Sequence, residues 1–193
     1  SEMCIRDRLQ STLGGAVGLT VGGGGLTAAP AVPPPRKPGT ATTPSYSVGI
    51  GYGALGDATL TGTGNIGIGL NAGMELTSGG YNVILGHSAG DALVDRTGMV
   101  AIGWGALGAV STTGGSYSIA IGAAAMGGAE IGDGNIAIGY QSMQNANAAG
   151  FHRNTALGYQ TMANVGSNAA VDNTVIGYHA GQDMTSANYN TLL

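Results

Sequence analysis

The serine in Gly86-His87-Ser88-Ala89-Gly90 has the spacing of a nucleophile elbow, and Asn82-Val83-Ile84-Leu85 before it reads as the strand that an elbow needs. Such a serine would attack an acyl carbon, with a histidine base and an orienting carboxylate behind it. Gly67, Gly69 and Ala72 imitate a dinucleotide fingerprint. His87, His152 and His179 are candidate metal ligands. Gly62-Thr63-Gly64-Asn65 faintly resembles a calcium-binding solenoid loop.

Each of these signals weakens beside the rest of the chain. Gly69-Leu70-Asn71-Ala72-Gly73 and Gly177-Tyr178-His179-Ala180-Gly181 stand in the same register as the elbow without a serine. The glycines and alanine thus belong to a repeat, and Ser88 is one copy's choice. A hydrolase would also need helices to place its Asp and His, and no amphipathic helical pattern is present. No βαβ pattern surrounds the glycine fingerprint. The three histidines fall at different repeat positions, and the repeating Asp of calcium loops is missing. The expectation is no enzyme, no metal and no cofactor.

The repeat that absorbs these motifs is a five-residue phrase, Asn135-Ile136-Ala137-Ile138-Gly139 in its fullest form. Eight complete copies end on Gly51, Gly69, Gly86, Gly103, Gly122, Gly139, Gly158 and Gly177, spaced by 17 to 19 residues. A ninth, Asn190-Thr191-Leu192-Leu193, stops short of its glycine, so the chain is expected to be a fragment truncated at the C-terminus. The first position is Asn in six of nine copies, and the second is always Val, Ile or Thr. The third is mostly Gly or Ala; the fourth is always Ile or Leu. β-Branched residues suit a pleated strand, and the glycine supplies a positive φ or a close approach at the corner.

Residues two and four share one face of a strand and residue three points the other way, so both faces are apolar. One unit of this kind cannot bury its own face; stacking coils about 4.8 Å apart does so. The expected fold is all-β, a parallel β-solenoid (β-roll) of about eight coils of 17 to 19 residues. The branched residues are expected to fill the coil. The small third residues are expected to face a partner chain, which predicts a trimer. The Asn column should form a ladder of side-chain amides.

The residue after each corner glycine is Tyr52, Leu70, His87, Trp104, Ala123, Tyr140, Tyr159 or Tyr178, so five of eight are Tyr or Trp in a chain that is 5% aromatic. This column is the candidate for surface recognition or for subunit packing: Tyr52, Trp104, Tyr140, Tyr159 and Tyr178. Burial at a corner or subunit seam is the expectation, and an exposed stripe for glycans or a cell surface is the alternative.

Composition agrees with a repeat architecture: 38 glycines in 193 residues, 8% charged, one Trp and one Phe. Net charge is −4. In the repeat region eight acids face only Arg96 and Arg153, which excludes a basic nucleic-acid face. The single Cys4 permits no internal disulfide. No apolar run is long enough to insert into a membrane as a helix. Residues 1–8 match nothing downstream and read as a non-native scar. Residues 9–44 read as a Gly/Pro-rich extended arm and linker, with the polyproline spacer Val32 to Gly39 marking the boundary. Residues 45–193 are the repeat domain.

Asn-Ile-Ala-Ile-Gly-Tyr-Gln-Ser (135–142), Asn-Thr-Ala-Leu-Gly-Tyr-Gln-Thr (154–161) and Ser-Ile-Ala-Ile-Gly-Ala-Ala-Ala (118–125) resemble the head repeats of trimeric autotransporter adhesins. They are more similar to related repeats of phage tail fibres, whose longer coils match these better. The resemblance covers about residues 45–193. It implies a homotrimeric fibre, extracellular or on a virion, that acts as shaft or head in host-surface attachment. Its partners would be further copies of itself, including end-to-end filaments, and a cell-surface glycan or receptor. The alternative is a bacterial surface adhesin or self-assembling filament. A more distant one is an ice-binding solenoid, for which Thr155, Thr174 and Thr191 align but earlier copies carry Val or Ile.

Overall fold

The computed structural model describes residues 20–21, 46–56, 60–108, 115–128, 132–146, 150–165, 170–184 and 188–193. The readings of residues 1–8, of the spacer 32–39 and of most of the arm lie outside them. Within the described residues the chain is all-β, a parallel β-solenoid. Its strands are β1 Thr20–Val21, β2 Val48–Ile50, β3 Ile66–Ile68, β4 Val83–Leu85, β5 Val100–Ile102, β6 Ile119–Ile121, β7 Ile136–Ile138, β8 Thr155–Leu157, β9 Thr174–Ile176 and β10 Thr191–Leu192. They form one sheet in chain order. From β2 onward each pairing joins equivalent residues, as in Ile119↔Ile136↔Thr155. The arm contributes β1, which pairs with Gly49 and Ile50.

Each repeat strand is short because a glycine ends it. The eight corner glycines have φ between 127° and 139°, a region that L side chains avoid. They also stack backbone on backbone: a Cβ on Gly86 would lie 2.6 Å from the carbonyl oxygen of Gly103. After the glycine the chain makes consecutive tight turns, as in Ser142 N–H to Gly139 O at 3.3 Å and Gln144 N–H to Gln141 O at 3.3 Å. The third residue of such a turn needs positive φ, and here it is often not glycine: Gln141 and Met143 have φ of 53°. A left-handed residue costs about 1–2 kcal/mol. The offset comes from coil-to-coil bonds in the same segment, such as Gln141 N–H to Ala123 O at 2.9 Å and Met143 N–H to Thr161 O at 2.9 Å.

The faces of the sheet are the reverse of the expectation. The third residues point into the coil: the small Gly49, Gly67, Ala101, Ala120, Ala137 and Ala156 and the larger Ile84 and Val175 are all buried. The branched second and fourth residues point outward and are half-buried or exposed, with Ile66, Ile68 and Leu157 at 38%, 39% and 42%. The small-residue face is therefore not available to a partner chain. The reason is a filled interior. Left-handed Leu55, Leu107, Met126, Met143 and Met162 come from the turn segment and are buried, and only Gly or Ala leaves room opposite. Where the strand carries Ile84 or Val175 instead, the matching turn residue is Gly90 or Gly181. A Cβ on Gly181 would stand 3.2 Å from Val175 Cγ1. Large strand residues thus meet glycine in the turn, and large turn residues meet Gly or Ala on the strand, as close packing requires. The exception is Gly67 with Gly73, where Leu55 and Ile84 of the adjacent coils reach in, 3.4 Å and 2.9 Å from a Cβ placed on Gly73.

Candidate functional site

The residues after the corner glycines line up as a column. Tyr140, Tyr159 and Tyr178 stack with ring centroids 5.0 Å and 5.3 Å apart and planes tilted by 25° and 20°. The spacing follows the strand separation, since each ring rides on its own coil. Within one chain these rings are 42%, 43% and 75% exposed, and Trp104 is 61% exposed. Tyr52 is exposed as well, so within one chain the expected burial is not found. Ala123 interrupts the column between Trp104 and Tyr140.

The adjoining position extends the stripe in a way that was not legible from the aromatic residues alone. His179 stacks on Tyr159 at 5.7 Å and lies 4.1 Å from Tyr178 between ring centroids. Its Nδ1 is 2.5 Å from Gln182 Oε1. Beneath it Gln160 Nε2 donates to Gln141 Oε1 at 2.6 Å. A second aromatic column was missed outright. The residue before the phrase is Tyr46, Gly64, Tyr81, Gly98, Tyr117, Gly134, Arg153, Asp172 and Tyr189 in successive coils. All four tyrosines there are exposed. The rings of Tyr81 and Tyr117 lie over Gly64 and Gly98, where a Cβ would approach Cδ1 to 2.9 Å and 2.7 Å. The signal was the alternation of Tyr with Gly, visible once the phrase is extended one residue backward.

The chain has eight tyrosines, and each belongs to one of these two columns, which flank the two ends of the strands. Between them runs the outward branched face. No family model, no curated protein and no solved structure matches this chain.

The first residues of the phrase face inward and make the amide ladder. Asn82 Nδ2 donates to Asn65 Oδ1 at 3.0 Å, and Asn173 Nδ2 to Asn154 Oδ1 at 2.9 Å. Where Ser118 replaces Asn, its Oγ accepts from Asn135 N–H at 3.1 Å.

Ser88 sits in the left-handed turn after Gly86, φ 51°, half-buried. His87 beside it is exposed, while His152 Nδ1 accepts from Asp133 N–H at 2.9 Å several coils away. Among the described residues no group of three or more His, Cys, Asp or Glu is placed to hold a metal. Thr155, Thr174 and Thr191 do pair in register at outward positions, at one end of the sheet.

Charges are sparse. The Arg153 guanidinium makes two bonds to Asp172, 2.7 Å and 2.9 Å, on the second tyrosine column. That pair pulls the Asp172 carboxyl below its usual range, through the hydrogen bond first. Arg96 is buried, donates to Gly115 O at 2.9 Å, and is pushed down by desolvation.

Proposed function

We propose that this chain is a structural and adhesive fibre element: a solenoid whose outward sheet face is covered by further copies of itself, forming a homotrimer that carries exposed aromatic columns for attachment to a host surface. The observation that carries the reading is the outward face, built of Val, Ile and Leu with Thr at one position of the last three strands, and bordered on both sides by tyrosines. From β2 to β10 it runs about 38 Å at the usual strand spacing. Its width from column to column is at most about 20 Å, so its area is on the order of 700 Å², close to the ~800 Å² per partner of a standard interface. Apolar patches of this size on a monomer mark interaction sites. Closed rotational symmetry covers the same face on every copy. A virion or extracellular setting accords with the repeat resemblance, and a bacterial surface adhesin is the second form of the same reading.

The test is sedimentation of the full chain beside a variant carrying Ile136→Lys and Ile138→Lys. The wild type should sediment as a trimer at micromolar concentration. The variant should be monomeric with an unchanged circular dichroism spectrum, since both side chains already face outward. A wild type that stays monomeric would remove the fibre reading.

A further inference from the structure

A notch interrupts the turn wall of the solenoid beside Trp104, and it comes from side chains missing in two consecutive coils. The second residue after the corner glycine runs Asn71, Ser88, Gly105, Ala124, Gln141, Gln160, His179 along the stack. The fifth runs Met74, Asp91, Gly108, Gly127, Gln144, Ala163, Gln182. Both columns are empty or nearly so at these two consecutive coils, where the aromatic column also drops to Ala123; the first coil carries Gly53 and Gly56 at the same positions, but there Asn71 and the Met74 carbonyl close the space. Two coils leave an opening about 10 Å long. Among the described residues a Cβ on Gly105 would meet nothing within 4 Å.

The resulting hollow holds about 330 Å³ and is lined by Ser88, Asp91, Trp104, Gln144 and the bare turn backbone. Its chemistry is mixed. Trp104, largely exposed, brings an indole to its lining, and Gln144, two coils on, an amide. Asp91 Oδ1 is buried and has no hydrogen-bond partner, although the Ser88 hydroxyl and backbone N–H groups act on the same carboxyl. It faces the gap: a Cβ on Gly108 would lie 3.4 Å from it. A buried carboxylate oxygen without a donor is costly, and a ligand hydroxyl would supply that donor.

We propose that this notch binds a neutral saccharide, one pyranose ring deep, with its apolar C–H face on Trp104 and its hydroxyls on Asp91, Ser88 and Gln144. The volume stands at the lower end of the ~300–1,000 Å³ of small-molecule sites, which suits a single ring. An acidic sugar is disfavoured because Asp91 lines the site and Glu75 lies near enough to act on it. A bare cation would find a single carboxylate there. The proposal goes beyond the fibre reading and holds for a monomer as well as for an assembly.

Trp104 is the chain's one tryptophan, so its fluorescence reports on the notch directly. The full chain is titrated with the methyl pyranosides of glucose, galactose, mannose and N-acetylglucosamine, and with methyl sialoside as the charged probe. At least one neutral glycoside should give a saturable change. Asp91→Asn should weaken that binding about tenfold, the scale of a charge-assisted bond. Gly105→Gln should abolish it by filling the gap. Its fold should be intact, because Gln141 and Gln160 already occupy the equivalent left-handed position in their own coils, at 53° and 50°. Circular dichroism and melting of Gly105→Gln check this directly. The assignment is overturned by linear responses to every probe, by saturation with the sialoside alone, or by saturation that survives both substitutions.

Discussion

Asn154 lies one coil from Asn135 and reaches it twice: its backbone N–H donates to Asn135 Oδ1 at 3.0 Å and its side-chain Nδ2 to the same oxygen at 3.2 Å. The other hydrogens and oxygen are used in turn. Nδ2 also reaches Ala170 O at 2.7 Å, and Oδ1 accepts from Asn173. All of this is buried. Asn154→Leu should therefore strand donors and acceptors in neighbouring coils and cost about 3 kcal/mol, one or two unsatisfied buried groups. Denaturant melts of the two chains measure it. A loss below about 1 kcal/mol would mean that water replaces the ladder.

Gly139 has φ 134°, and its Cα faces the Gly158 carbonyl so closely that a Cβ would overlap the oxygen. Gly139→Val should disrupt its coil through strain and contact together. Loss of the folded circular dichroism signal or a large drop in melting temperature is expected. An unchanged melt would show that the corner can open.

The complementarity between strand and turn predicts a compensating pair. Met143→Gly alone should open a cavity beside Ala137 and lower stability by about 3 kcal/mol or more. Adding Ala137→Ile should recover part of the loss, because Ile84 with Gly90 already solves the same packing in another coil. A double variant less stable than the single one would refute the complementarity of strand and turn.

Tyr159 stacks between two rings but is exposed, so Tyr159→Ala should cost the isolated chain only about 1 kcal/mol, the scale of aromatic pairing. Attachment to host cells should weaken more than stability does. A loss near 3 kcal/mol, the scale of a truncated core side chain, would instead place the rings inside an assembly seam.

Asp172 is held below its usual carboxylate range by Arg153. Its contribution is thus present above the ordinary carboxylate pKa and lost as pH falls through the depressed value in the folded state. Asp91 runs the other way. Burial raises its carboxyl, against the Ser88 hydroxyl and backbone N–H groups, with Glu75 adding to the rise. It therefore opposes folding above its raised value and ceases to do so on acidification. Carboxyl titration by NMR should show Asp172 returning to an ordinary value in Arg153→Gln, with Asp91 unchanged. No movement of Asp172 would mean that the ion pair is not formed in solution.

The period of the phrase determined much by itself. A short apolar run closed by glycine every 17 to 19 residues admits one strand per coil, parallel pairing of equivalent residues, and Asn above Asn. These consequences are local or follow from repetition, so they survive without coordinates. The side of the sheet that faces inward was decided only in three dimensions. A strand apolar on both faces carries no label for inside, and the residues that settle it, Leu55, Leu107, Met126, Met143 and Met162, lie in turns whose left-handed conformation no propensity of Leu or Met announces. Once those side chains fill the coil, only Gly or Ala fits opposite, and the branched residues must face out. The same folding set the exposure of the tyrosines and opened the hollow beside Trp104, because both depend on what neighbouring coils lack at a given height.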